Sequence, residues 1–142
     1  MKYLKTYESF SDIEMNIQDI LQDCIDIGMQ IGYYDPTEFY SEAYGKRVEG
    51  IRVLMYAGQG DPWLTKKPDM SRMKKFIDIK PNIEHLIEYM KSIGYDKFWY
   101  SDEFVDFNQH DKNDSTKEAK FNFLPNDEDG VYYPYITFFR DI

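Results

Sequence analysis

Cysteine is nearly absent from the 142 residues: Cys24 stands alone. A single thiol forms no intrachain disulfide, and a cysteine-based metal site needs several thiolates or a Cys/His cluster. Histidine is almost as scarce, with only His85 and His110. Helical spacing puts His85 on a solvent face and His110 falls in a polar loop, so no nucleophile–base pair is expected. No phosphate-cradling glycine pattern occurs, since Gly58-Gln59-Gly60 has neither the third glycine nor a following Lys-Ser/Thr. No apolar run approaches the ~20 residues that span a bilayer as a helix. Residues 1–10 carry Lys2 and Lys5 but no apolar signal-peptide core, which makes an intracellular setting the expectation. Cations are also in deficit: 17 Lys and Arg stand against 26 Asp and Glu, a formal charge of −9. That balance argues against coating nucleic acid or anionic lipid through the overall field.

Aromatic residues fill the space left by these absences, at 18% of the chain with 13 Tyr and 10 Phe. With 42% hydrophobic residues, enough surface is available to offset chain entropy in one domain of ordinary size. Residues 11–27 read as a helix. Ser11 fits an N-cap with Glu14 three residues on. Ile13, Ile17, Ile20, Leu21, Cys24 and Ile27 form one stripe, and Gly28 fits the C′ position. Asp23 and Asp26 near its C-terminus oppose the helix dipole. A second helix spans 81–93, with Pro81 in the first turn and a stripe of Ile83, Leu86, Ile87, Met90 and Ile93. Gly94 ends it.

The two helices match at an offset of 66: Asn16-Ile17 with Asn82-Ile83, Cys24 with Met90, Ile27-Gly28 with Ile93-Gly94. Tyr33-Tyr34 then corresponds to Trp99-Tyr100. This similarity suggests a tandem αββ repeat with halves near 11–60 and 81–142, although two ordinary amphipathic helices ended by glycine give part of the likeness. Strands are expected at 29–34, 95–100 and 48–56. Residues 119–124 and 131–139 flank an Asp129-Gly130 turn and read as a hairpin. Pro134, which donates no ladder hydrogen bond, is expected at an edge or bulge. Residues 70–76 suit one or two helical turns. The fold class that satisfies both helical stripes is α+β: a two-layer sandwich, an antiparallel sheet of four to five strands with two helices on one face. Residues 1–10 form a separable arm before a single domain over 11–142.

Carboxylates offer the nearest approach to catalytic chemistry. Asp102, Glu103 and Asp106 follow a strand and are weak candidates for holding Mg²⁺, as in a small metal-dependent hydrolase. Acid-rich chains produce such clusters by chance, so no cofactor and no catalytic residue is assigned. Asp127, Glu128 and Asp129 fail the calcium-loop pattern, because Pro125 stands where an acid is needed. Charge is unevenly spread. Residues 61–80 carry six bases and three acids, whereas residues 11–34 carry five acids and no base. Trp63 beside Lys66, Lys67 and Arg72 has the composition of a contact site; a basic loop that balances neighbouring acids is the plainer alternative. Tyr3, Leu4, Tyr7 and Phe10 have helical spacing and form the second contact candidate. An aromatic edge strand at 131–139 is a third route, to a second copy.

The opening segment, ending Lys5-Thr6-Tyr7-Glu8-Ser9-Phe10, resembles the start of many small proteins of tailed bacteriophages, and the helix, glycine and strand that follow are similar in outline. The resemblance implies a phage origin and a place in the host cytoplasm or the virion. Together with the missing catalytic motifs it leads to the expectation of a non-enzymatic accessory protein. It would act through protein–protein contacts with a phage or host partner, without membrane or bulk nucleic-acid binding. The alternative is an acidic inhibitor that occupies a nucleic-acid-binding surface of a host protein.

Overall fold

The computed structural model describes residues 10–41, 45–60, 69–102 and 122–142. Helix α1 (Phe10–Ile20) is followed after one residue by the short α2 (Gln22–Asp26). At Leu21 the backbone departs from helical values, yet its N–H still bonds the Ile17 carbonyl. The stripe read from sequence is thus one ridge with a kink. Ile13, Ile17, Leu21 and Cys24 are buried, while Ile27, expected in the stripe, is exposed. Ser11 lies within the first turn of α1, which already includes Phe10. Helix α3 (Lys80–Ser92) carries Pro81 at its start and buries Ile83, Leu86 and Met90. His85 is exposed, as its helical position predicts.

Among the described residues the main sheet has four strands in the order β1 (Gln30–Ser41), β2 (Lys46–Tyr56), β6 (Pro134–Asp141), β4 (Lys97–Asp102), all antiparallel. Ile51, Val53, Met55, Ile136, Phe138 and Phe98 point to one face and make a core with both helices. The α+β sandwich expected from sequence is therefore the observed architecture. A minor two-stranded sheet pairs β3 (Lys74–Lys75) with β5 (Gly130–Val131). The helical turns expected at 70–76 occur as two 3-10 turns, Met70–Arg72 and Phe76–Asp78, on either side of β3.

Three strand expectations need correction. The hairpin between 119–124 and 131–139 does not form: residues 122–124 are not strand, and residues 119–121 lie outside the described residues. Instead Asn122 bonds Phe98, donating its N–H and accepting with Oδ1. The aromatic run is not an edge either, because β6 lies between β2 and β4. Burial explains why: Ile136, Thr137, Phe138 and Phe139 are all buried, so both faces of that strand are covered. Pro134 sits in this central strand, but as its first residue, where a missing donor interrupts no ladder.

The topology is two successive αββ units whose second strands, β2 and β6, meet at the centre of the sheet. Both helices end alike. Met29 N–H bonds the Cys24 carbonyl at 3.0 Å, and Tyr95 N–H bonds Met90 at 2.9 Å. Gly28 and Gly94 take left-handed φ values of 99° and 105°, a conformation that only glycine adopts cheaply. Across the helix pair, Asn16 Nδ2 donates to Tyr89 Oη and Asn82 Nδ2 to Asp23 Oδ2. Asn16 corresponds to Asn82 and Asp23 to Tyr89 at the same offset, so these contacts are mates about an approximate two-fold. Asn82 thereby places a donor at Asp23, one of the two acids opposed to the helix dipole. In the strands the correspondence slips by one residue, at Asp96. Tyr33 and Tyr100 both pack on the core, so Tyr33 matches Tyr100 rather than Trp99.

Candidate functional site

Most residues singled out from sequence lie outside the described residues: Tyr3, Leu4, Tyr7, Trp63, Lys66, Lys67, Glu103 and Asp106, together with the loop at 108–116. Phe10 opens α1. Arg72 ends a 3-10 turn and is half-buried. Its charge helps hold the Asp69 carboxyl below the usual range, after the larger effect of hydrogen bonds from Ser71. The basic stretch is met by acids. Lys75 pairs with Glu128 and Lys80 with Asp127, each at 2.9 Å. These contacts raise both lysine pKa values, chiefly through the hydrogen bond to each carboxylate. The acidic turn at 127–129 is therefore a clamp on residues 75–80. Its backbone joins in, with Asp129 and Asp127 carbonyls accepting from Phe76 and Ile77.

Asp102 is 1% exposed. Its Oδ2 accepts the Tyr132 N–H at 2.8 Å and its Oδ1 the Tyr133 N–H at 3.2 Å. The carboxylate thus holds the bend between β5 and β6. Among the described residues no group of three or more His, Cys, Asp or Glu is placed to hold a metal. Cys24 is buried, and burial, with Asp23 beside it, pushes its thiol up to about 11. A thiol so raised is a poor nucleophile near neutral pH.

A surface that the sequence did not single out emerges on the sheet face opposite the helices. Strand alternation puts every second side chain there: Gln30, Gly32 and Tyr34 from β1, Arg52 and Leu54 from β2, Tyr135 and Thr137 from β6, Trp99 from β4. Arg52 donates from Nε to Thr137 Oγ1 at 3.1 Å and lies 4.8 Å over the Tyr135 ring. Trp99 meets the same ring edge-on at 6.3 Å. Arg52, Tyr135 and Trp99 therefore form a row across three strands. Each is only partly buried, and Tyr34 is 46% exposed.

Beside this row lies a hollow of about 240 Å³ whose lining includes Gln30, Gly32, Tyr34, Leu54, Tyr56 and Tyr133. Gly32 creates it. The residue stands opposite Leu54 in the ladder, and a Cβ placed there meets nothing within 4 Å. The far wall is fixed, because Gln30 Nε2 donates to the carbonyls of Gly58 and Gly60. Tyr56 and Tyr133 pack ring on ring at 5.2 Å. The other outer-face glycine, Gly50, is covered: a Cβ there comes within 2.9 Å of Phe39 Cε1. Gly32 carried no signal of its own in the sequence, lying inside the strand expected at 29–34; its neighbours follow from the register with β2.

Fold and surface together define an α+β sandwich that presents a partly exposed aromatic sheet face. No family model matches the chain, and no curated protein or solved structure matches it. Among the described residues no helix is long and apolar enough to cross a membrane.

Proposed function

We propose that this is a non-enzymatic binding protein of phage origin, which contacts a partner protein through the outer face of its sheet. The observation that carries the reading is the row Arg52, Tyr135 and Trp99 beside Tyr34 and the hollow over Gly32. Tyr, Trp and Arg dominate the energetics of protein interfaces, because each combines a large apolar area with a polar or charged tip. Here the three side chains already pack on one another, so less rotamer freedom remains to be lost on docking. The phage setting rests on the resemblance of residues 1–10.

A photo-crosslinking amino acid tests this reading. It is placed at Tyr34 or Tyr135 on the outer face, and at exposed His85 on α3 as the control. In phage-infected cells the outer-face positions should give one discrete protein adduct and the His85 position none. Adducts from His85 alone, or no adduct from either outer-face position, would refute the outer-face assignment.

A further inference from the structure

We infer that the hollow over Gly32 is a receptor for one flat aromatic side chain, carried on a basic segment of the partner protein. The inference rests on the outer-face reading above and names the chemistry of its partner. Its first support is internal. The approximate two-fold matches Ile31 with Phe98 and Tyr33 with Tyr100, so Gly32 matches Trp99. Gly32 stands opposite Leu54 and Trp99 opposite Thr137, and Val53 and Ile136, equivalent in the two units, pair with each other at the centre. In the second unit the space above the sheet is thus filled by an indole packed on Tyr135. In the first unit no side chain among the described residues fills the same space.

The second support is the treatment of Gly50. Its bare backbone is covered by the Phe39 ring, which also meets Phe139 edge-on at 5.7 Å. Aromatic cover of a sheet glycine compensates its missing side chain. Gly32 is the described outer-face glycine without that cover. Size agrees as well: a closed apolar cavity of about 150 Å³ accepts benzene, and the hollow here is about 240 Å³. Tyr34, 46% exposed, offers an accessible ring for offset or edge-on packing, while Tyr56 and Tyr133 line the hollow from buried positions. The long-range field of a chain of net charge −9 favours basic residues around the incoming ring, set back from Arg52 on the same face.

The test uses the ¹⁵N-labelled full chain titrated with N-acetyl-tryptophanamide and with the blocked peptide Lys-Trp-Lys. Lys-Leu-Lys serves as the control. Amide shifts are expected at Gly32, Tyr34 and Leu54, with a dissociation constant on the order of 1 mM for the amide. At low salt the Trp peptide should bind several-fold tighter than the amide. Gly32→Trp should abolish both while melting no lower than the parent. If that variant does not fold, Tyr34→Ala, which removes the exposed wall, should weaken binding at least about threefold. Equal shifts with Lys-Leu-Lys, no shifts with either Trp probe, or unchanged binding in Tyr34→Ala would overturn the inference. Photo-adducts that persist in Gly32→Trp would also overturn it while leaving the outer-face reading intact. Ring binding without any outer-face adduct would refute that reading alone.

Discussion

Replacing Asp102 separates a structural carboxylate from a metal ligand. Its two oxygens each accept one backbone N–H, from Tyr132 and Tyr133, at 2.8 and 3.2 Å in a site that is 1% exposed. Hydrogen bonds to a charged group contribute about 1.5–3 kcal/mol each, and a buried donor left without an acceptor costs a similar amount. Asp102→Ala strips both bonds at once and is expected to cost about 3–5 kcal/mol. Asp102→Asn keeps one acceptor but turns an NH₂ towards the second N–H, for a loss of about 2 kcal/mol. Urea titration with linear extrapolation reads these values directly. In a melt, about 3 °C per kcal/mol is expected for a chain of this size, so the Ala variant should fall by roughly 10 °C. The losses should be the same with and without Mg²⁺. An Ala variant within about 1 kcal/mol of the parent would refute the structural role. So would a Mg²⁺-dependent stabilisation of the parent that both variants lack, because ligand linkage raises stability only where the site binds.

Other consequences are simpler to check. Gly50→Ala drives a Cβ into the Phe39 ring and should cost about 1–2 kcal/mol. Gly32→Ala meets nothing within 4 Å and should be near neutral in the same urea titration; the reverse order would contradict the assigned faces. Cys24 should resist a thiol reagent in the native protein at pH 8 and react promptly in urea. Its thiol rises from 9.0 to about 11 on folding, so the protonated form is favoured in the native state. The stability this contributes is complete below pH 9 and is lost as pH rises from 9 through 11. A Cys24→Ala variant should lack that part of the alkaline decline, measured as stability at pH 8 and pH 11.

The helices were legible because local rules suffice for them. A 3.6-residue stripe, Pro81 at one start and a glycine after each end place the outer bounds of α1–α2 and of α3 to within a residue or two, but not the break at Leu21 that divides the single helix expected over 11–27. The strands at 29–34, 48–56 and 95–100 were legible in type for the same reason, though β1 continues past Pro36 through a register shift between Tyr34 and Thr37. What failed was pairing. The Asp129-Gly130 turn signal favoured a local hairpin, but Gly130–Val131 pairs with Lys74–Lys75 and the bend held by Asp102 sends β6 elsewhere. One signal pointed the right way. The run from Ile136 to Phe139 is apolar or small on both faces, which is the pattern of a strand buried on both sides. The outer-face site was not legible, because register across the sheet sets Gly32 beside Leu54 and aligns Arg52, Tyr135 and Trp99 from three strands.

The central position of β6 has a kinetic consequence. Its pairings join Leu54 to Tyr135 and Phe98 to Phe138, contacts that close long chain loops. Loop-closure entropy must be met before such contacts give any return, and folding slows as mean contact separation grows. The first αββ unit can form its β1–β2 hairpin early, but among the described residues β4 has no main-sheet partner until β6 inserts. Assembly of the sheet is therefore a late, cooperative closure in which one strand joins both halves. Amides of β2, β4 and β6 should accordingly lose hydrogen-exchange protection together rather than strand by strand.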